Sequence, residues 1–244
     1  SLDVRVTSLT DSVTYILNLA RRKEGAYVCV ANVHMCMEAF DSAEFKNVVN
    51  GADWVLPDGR PLSWAQKLLG FRSAKQVRGQ DIVHSLCQQA AATGLRVGLY
   101  GGASKDVLCQ VANCLKQDYQ GLKIPYLFCP PFRPLTPDED FNVIAEIDKA
   151  EVDLLFVGVG CPKQEYWMAD HKEDLSCVML GVGAAFDFIS GAKKHAPKWM
   201  QALGLEWFFR LCSEPYRLWR RYLFHNPRFL YFLGKQISSN RSVN

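Results

Sequence analysis

The sequence predicts an α/β fold: a Rossmann-like, mostly parallel sheet with helices on both faces, followed by a C-terminal helical appendage. Six apolar runs of strand length recur along the 244 residues, with helical patterns between most of them. The runs are apolar throughout instead of alternating, as expected of parallel strands buried on both faces. After residue 192 strand-like runs cease, and Trp, Phe, Tyr and Leu are packed between arginines.

The elements follow in order. DSVTYILNLARRK opens the chain as a helix, with apolar residues three and four apart. YVCVANV (27–33) and DWVLPD (53–58) are the first strands. QDIVHSLCQQAAAT is the next helix, then the strand RVGLYGG (96–102), the helix SKDVLCQVANCLKQDY and the strand KIPYLFC (123–129). PDEDFNVIAEIDKA is helical, and VDLLFVGVG (152–160) and CVMLGVG (177–183) complete the sheet. Several helices begin at Asp or Ser, whose side chains cap free N–H groups. Pro197, Pro215 and Pro227 divide the tail into short helices. The division is thus a core of residues 1–192 and an appendage of residues 193–244.

Composition narrows the function. Hydrophobic residues are 49% and charged residues 22%, a globular balance. No stretch reaches 18 apolar residues, so no transmembrane helix is expected, and SLDVRVTSLTDSV lacks a signal-peptide core. Nine cysteines without C-x-x-C spacing, several inside apolar runs, read as reduced thiols of a cytoplasmic protein, not as a disulfide frame or zinc site. The five histidines have no ligand spacing, and no metal is expected. The charge is split: residues 193–244 carry ten Lys/Arg against two Asp/Glu, while the core carries 18 against 23. A basic tail on a mildly acidic body suits an anionic partner. Aromatics interleaved with Arg210, Arg217 and Arg220 suit a membrane interface, and no RNA-binding signature is present.

Ligands of open α/β sheets bind beyond the carboxyl ends of the strands. The candidate loops are therefore residues 32–35, 57–60, 101–104, 158–164 and 181–187. Gly101, Gly102 and Ser104 precede a helix and either cradle a phosphate or form a capped turn. GVGCPK and GVGAAF begin as G-x-G, but Lys163 and Phe186 stand where a dinucleotide fingerprint needs its third Gly, so NAD or FAD is disfavoured. Gly158, Gly160 and Gly183 still allow close approach of a nucleotide or sugar. Asp58, at a strand end before Gly59, is either a general base facing the cleft or a turn acid. In CPKQE, Pro162 suits the first helical position, and Gln164 and Glu165 the first turn. Asp187 either binds ribose or sugar hydroxyls or is a buried turn acid. The D-x-D pattern of residues 138–140 reads as helix N-terminal acids instead of a metal motif. Arg210, Arg217 and Arg220, spaced by seven and three, share one helix face if Pro215 does not break it.

VANVH (30–34), LPDGRPL (56–62), VRGQDIV (77–83), VGVGCPKQEYW (157–167), GVGAAFDFISG (181–191), APKWMQALGLEWFFRL (196–211) and EPYRLWRRYL (214–223) together resemble the WecG/TagA/CpsF family of bacterial glycosyltransferases. The resemblance spans about residues 25–232 in the same order. It implies an inverting transfer, without an essential metal or cofactor, of N-acetylmannosamine, its uronic acid or glucose from a UDP-sugar. The acceptor it implies is an undecaprenyl-diphosphate-linked sugar, in bacterial surface polysaccharide synthesis. It implies a UDP-sugar site in the core, an appendage that completes the active site, and peripheral attachment to the inner face of the cytoplasmic membrane. Carried over, Asp58 is the catalytic base, Gln164 contacts sugar, and Arg210, Arg217 and Arg220 lie over the diphosphates. Asn32, Gly59 and Arg78 fall in or beside matched motifs as substrate-binding candidates. Val30, Gln76 and His195 depart from the usual Thr, Arg and Arg. A non-catalytic membrane-binding protein and an NAD-dependent sugar-nucleotide-modifying enzyme are the competing readings; bound NAD would mark the second. Nucleic acid is not an expected partner, and a homo-oligomer stays open.

Overall fold

The structure, a computed structural model, describes residues 1–241. The last three residues of the predicted appendage lie outside the described residues. The order is α1 (Leu9–Arg22), β1 (Ala26–Ala31), α2 (Val33–Asp41), α3 (Ala43–Asn50), β2 (Trp54–Pro57), α4 (Arg60–Leu68), α5 (Gly79–Thr93), β3 (Arg96–Gly101), α6 (Lys105–Asp118), β4 (Lys123–Phe128), α7 (Pro137–Lys149), β5 (Leu154–Gly158), α8 (Lys163–Asp170), β6 (Val178–Gly181), α9 (Ala185–Ile189), α10 (Lys198–Ala202), α11 (Glu206–Ser213) and α12 (Pro215–Arg241).

All six predicted strands form. They make one sheet in the order β2-β1-β6-β5-β3-β4, and every pairing is parallel. Successive side chains point to opposite faces, so each strand feeds two cores. Val28 and Val30 of β1 join Leu154 and Phe156 of β5 under α1, α5 and α6. Tyr27, Cys29 and Ala31 join Leu155 and Val157 on the other face, under α2, α3, α7 and α8. Only the edge strand β4 alternates buried and exposed residues.

Local chemistry sets the helix starts. Ser8, Asn32, Ser42 and Ser104 cap α1, α2, α3 and α6, each accepting from a backbone N–H three residues on. Thr136 and Glu139 form a capping box at α7. The acids of residues 138–140 are thus first-turn acids, as read from the sequence. Asp140 also accepts from Trp167 Nε1 at 3.2 Å and pairs with His171 at 3.0 Å, joining α7 to α8. All nine cysteines are free thiols.

Two readings of the tail are corrected. Pro227 lies inside α12, which runs on for 27 residues. Arg210 and Arg217 are not on one helix face: the backbone leaves the helix at Glu214, with φ −135° and ψ 60°, and Pro215 starts the next one. Pro162 also stands one residue earlier than expected, as the N-cap of α8.

Candidate active site

A cavity of about 350 Å³ opens over the carboxyl ends of β1, β2 and β6, roofed by α11 and α12. Asn32 follows β1, Asp58 and Gly59 follow β2, Gly183 follows β6, and Gly160 and Gln164 come from the loop after β5. Arg78 enters from the loop before α5, and Arg210 and Arg217 from the appendage. Four of the five loops predicted to hold ligand therefore contribute.

Asp58 is fixed from two sides. Its backbone N–H donates to Ala31 O at 2.8 Å, extending the β1–β2 pairing, and its Oδ1 accepts from Gly79 N at 3.0 Å. Gln76 Nε2 donates to the Asp58 carbonyl at 2.5 Å. The Gly79 backbone N–H thus helps to aim the carboxylate. Asn32 both caps α2 and lines the cavity.

Gln164 sits under the cavity floor, 3% exposed. Its Oε1 accepts from Gly160 N at 3.1 Å and its Nε2 donates to Glu165 Oε1 at 2.7 Å. Gly181 is required here, since a Cβ on it would lie 2.8 Å from Gln164 Nε2. Glu165 is fully buried and lies outside the cavity lining. Burial, and then the nearby Glu165 charge, push the Cys29 thiol far up, so Cys29 stays protonated.

The appendage closes the site through charge. Arg78 Nη1 donates to Gln201 Oε1 at 2.7 Å and lies 3.6 Å from Glu206 Oε1. Arg217 pairs with Glu214, which also meets Lys193 Nζ at 3.2 Å. Burial pushes the Glu214 carboxyl up, but Lys193 and Arg217 outweigh it and hold it below its ordinary value. Arg210 lies with Cζ 5.5 Å from the Phe188 ring centre, and its Nε is buried with no hydrogen-bond partner among the described residues. A buried guanidinium N–H without an acceptor is costly unless an anion supplies one.

Other predicted contacts stand apart from this cavity. Gly101, Gly102 and Gly158 lie at the ends of β3 and β5, across the sheet from β1 and β2. Gly101 and Gly158 are packing glycines: a Cβ on Gly101 would lie 2.5 Å from the Gly158 backbone, and one on Gly158 would lie 2.5 Å from the Phe186 ring; Gly102 has room for a Cβ but a φ of 90°. Phe186, 1% exposed, is core. Ser104 is the cap of α6, the ordinary turn reading. Lys163 is exposed at the start of α8, outside the lining. Asp187 is a half-buried acid in the first turn of α9, bonded to Lys193 Nζ at 2.5 Å and not to backbone N–H groups as a buried turn acid would be. Arg220, outside the lining, sits over Trp219 at 5.7 Å. These eight positions (Gly101, Gly102, Gly158, Lys163, Glu165, Phe186, Asp187 and Arg220) make no contact with the cavity as candidate ligands. Gly158→Ala is accordingly expected to lower stability by about 1–3 kcal/mol in denaturant unfolding, by forcing Phe186 aside. The KM for donor should hardly change; a large rise in KM at unchanged stability would return Gly158 to the ligand site.

Sequence reasoning missed His34, Glu206, Tyr222 and Asn226, which line the cavity. His34, Glu206 and Tyr222 lay inside the matched motifs VANVH, APKWMQALGLEWFFRL and EPYRLWRRYL without being singled out, and Asn226 carried no signal.

The profile described as "Glycosyl transferase WecG/TagA/CpsF family" matches residues 1–243. The chain belongs to the WecG/TagA/CpsF family. Two curated relatives are similar to it, both named N-acetylglucosaminyldiphosphoundecaprenol N-acetyl-beta-D-mannosaminyltransferase. The one from Bacillus spizizenii is 30% identical over 224 residues, covering 91% of this chain and 84% of the relative. The one from Bacillus subtilis is 30% identical over 219 residues, covering 89% and 83%. As a WecG/TagA/CpsF member the protein is a glycosyltransferase on a Rossmann-like fold, and its cavity is the natural place for that chemistry.

Proposed function

We propose that the protein transfers a sugar, N-acetylmannosamine in the first instance, from a UDP-sugar to an undecaprenyl-diphosphate-linked sugar, with inversion at the anomeric carbon. The observation that carries this is the meeting of Asp58 with Arg210 and Arg217 in one cavity, a carboxylate opposite cations from a different part of the chain. The relatives' printed names supply the mannosaminyl donor group and the diphosphoundecaprenol acceptor.

The acceptor hydroxyl attacks the anomeric carbon, and its proton passes to the Asp58 carboxylate as the new C–O bond forms. The bond from that carbon to the diphosphate oxygen breaks, and UDP leaves with the electron pair from the opposite face. Arginine forks neutralise the diphosphate charge. Arg217 reaches it by exchanging Glu214 for phosphate. Gln164 holds the Gly160 loop against the donor sugar. Val30, Gln76 and His195 all line the cavity, so the three departures from the family pattern bear on which sugars fit. Incubation with a panel of UDP-sugars and the lipid-linked acceptor, with mass spectrometry of the lipid product, tests the reading; no product with any donor would end it.

The second part of the proposal is membrane attachment at the inner face of the cytoplasmic membrane. No helix among the described residues is long and apolar enough to cross a membrane. Instead α12 has two apolar stripes. Leu218, Tyr222, His225, Phe229 and Phe232 face inward, while Tyr216, Trp219, Leu223 and Leu230 are exposed outward. Trp199, Leu203 and Phe208 extend the exposed surface onto α10 and α11. Exposed aromatics within a segment of ten Lys/Arg and two Asp/Glu suit an anionic bilayer surface. The chain is expected to float with phosphatidylglycerol vesicles and not with phosphatidylcholine ones. Trp219→Ser with Leu230→Ser should abolish flotation and leave the melting temperature unchanged; flotation by the double variant would remove α12 from the membrane.

A further inference from the structure

The contact between α12 and α2 holds a cluster to which the proposed transfer assigns no step, although His34 at its edge also lines the cavity. His34 and Glu38 stand four residues apart on α2, on one helix face, and His225 reaches them from α12. One nitrogen from each ring and one Glu38 oxygen lie within 4.8 Å of one another. Glu38 Oε1 is 3.5 Å from His34 Nδ1 and 3.9 Å from His225 Nε2, and the two rings stand edge to face with centres 5.3 Å apart. All three residues are half-buried.

We propose that His34, Glu38 and His225 form a binding site for a divalent transition-metal ion, Zn²⁺ by ligand chemistry, that clasps α12 to α2. Two imidazoles and a carboxylate are the N/O ligands that zinc takes, at about 2.0–2.2 Å, with a fourth position left to water. Ligand atoms around such an ion stand roughly 3.3 Å apart. The two spacings from Glu38 Oε1, 3.5 and 3.9 Å, are close to that, and binding would require the side chains to rotate inward. The site is a nitrogen–oxygen one: the cluster consists of two imidazoles and a carboxylate, and Cys36 is not among its members.

The ion would act on the appendage, not on the transferred sugar. Its bonds would join a core helix to the helix that carries Arg217, Tyr222 and Asn226 into the cavity. Beside it, Arg228 Nη1 donates to Asp41 Oδ2 at 2.9 Å, and Phe40 stacks on Phe232 at 4.1 Å, so the two helices are already in register. Metal would therefore favour the closed cavity in proportion to its occupancy. This is separate from the reaction proposed above, because it concerns how the roof is held.

Cobalt titration of the chelator-treated full chain tests it. One equivalent of Co²⁺ should bind with visible d–d bands, without sulfur-to-metal bands in the near ultraviolet, and Zn²⁺ should displace it. Glu38→Gln and His225→Gln, one on each helix, should each weaken binding about ten-fold or more. Zn²⁺ should slow amide exchange around residue 225 in the wild type and not in the variants. Absence of stoichiometric binding, thiolate bands, or undiminished affinity in both variants would overturn the site. Transfer activity enters none of these readouts, so the clasp stands or falls apart from the reaction.

Discussion

Asp58→Asn is expected to fold as the wild type does and to lose about 10²–10⁴-fold in turnover. The fold should survive because asparagine keeps an Oδ1 that accepts from Gly79 N, the 3.0 Å bond that aims the side chain. The backbone bond to Ala31 O is untouched. Only the basicity disappears, so the acceptor hydroxyl must lose its proton to water. The loss should fall on kcat, with the KM for donor held near its wild-type value, because in the proposed reaction Asp58 meets the proton of the attacking oxygen, and a carboxylate offers no positive charge to a diphosphate. Steady-state assay of UDP release, beside a thermal melt, separates these outcomes. Near-normal turnover would not move the base to Glu165 or Asp187. Glu165 is sealed under Gln164, and Asp187 is held by Lys193. It would point to Glu206, the other carboxylate among the lining residues.

What could be read from the sequence follows from what each segment packs against. Strands buried on both faces show as unbroken apolar runs, which made five of the six legible; the edge strand β4 alternates and was legible because its outward positions include Pro125 and Leu127. The helix α2 was not, because VHMCMEAFD is apolar on more than one side: α2 lies between the sheet and α12, and its period is blurred. Pro227 ends a helix only when nothing beyond it holds the chain. Here Phe229 and Phe232 pack against the core past the proline, and the helix continues.

The candidate site was legible to the extent that it obeys the carboxyl-edge rule. Asn32, Asp58, Gly160 and Gly183 sit where strand ends put them. The same rule misplaced Gly101 and Gly102, because strand order cannot be read from the chain: β3 lies beyond β5, with the Phe186 ring packed against Gly158. The PKQE segment shows both outcomes. Its glutamine reaches the cavity floor, while its glutamate turns inward as the glutamine's support. The histidine cluster was invisible, because its members come from two helices far apart in the chain.

Arg210→Ala is expected to cost about 10²–10³-fold in kcat/KM, the effect of removing one preorganised donor to developing negative charge. Arg210 is the strongest candidate among the arginines for a physical reason. Arg78 is engaged with Gln201 and Glu206, and Arg217 with Glu214, but the Arg210 Nε is buried and finds no acceptor among the described residues. The Phe188 ring holds the guanidinium in place, so little ordering remains to be done when a diphosphate arrives. Arg210→Lys should recover only part of the loss, since an ammonium cannot present the planar fork that pairs with two phosphate oxygens. Arg220→Ala is the control. That side chain rests over Trp219 outside the cavity, so its loss should leave transfer to a short-chain soluble acceptor nearly unchanged and weaken only transfer at vesicles. Equal losses for Arg210→Ala and Arg220→Ala on the soluble acceptor would mean that the appendage acts as a diffuse positive field. A loss confined to Arg210→Ala would mean that one guanidinium, placed by α11 over the strand ends, meets the leaving diphosphate.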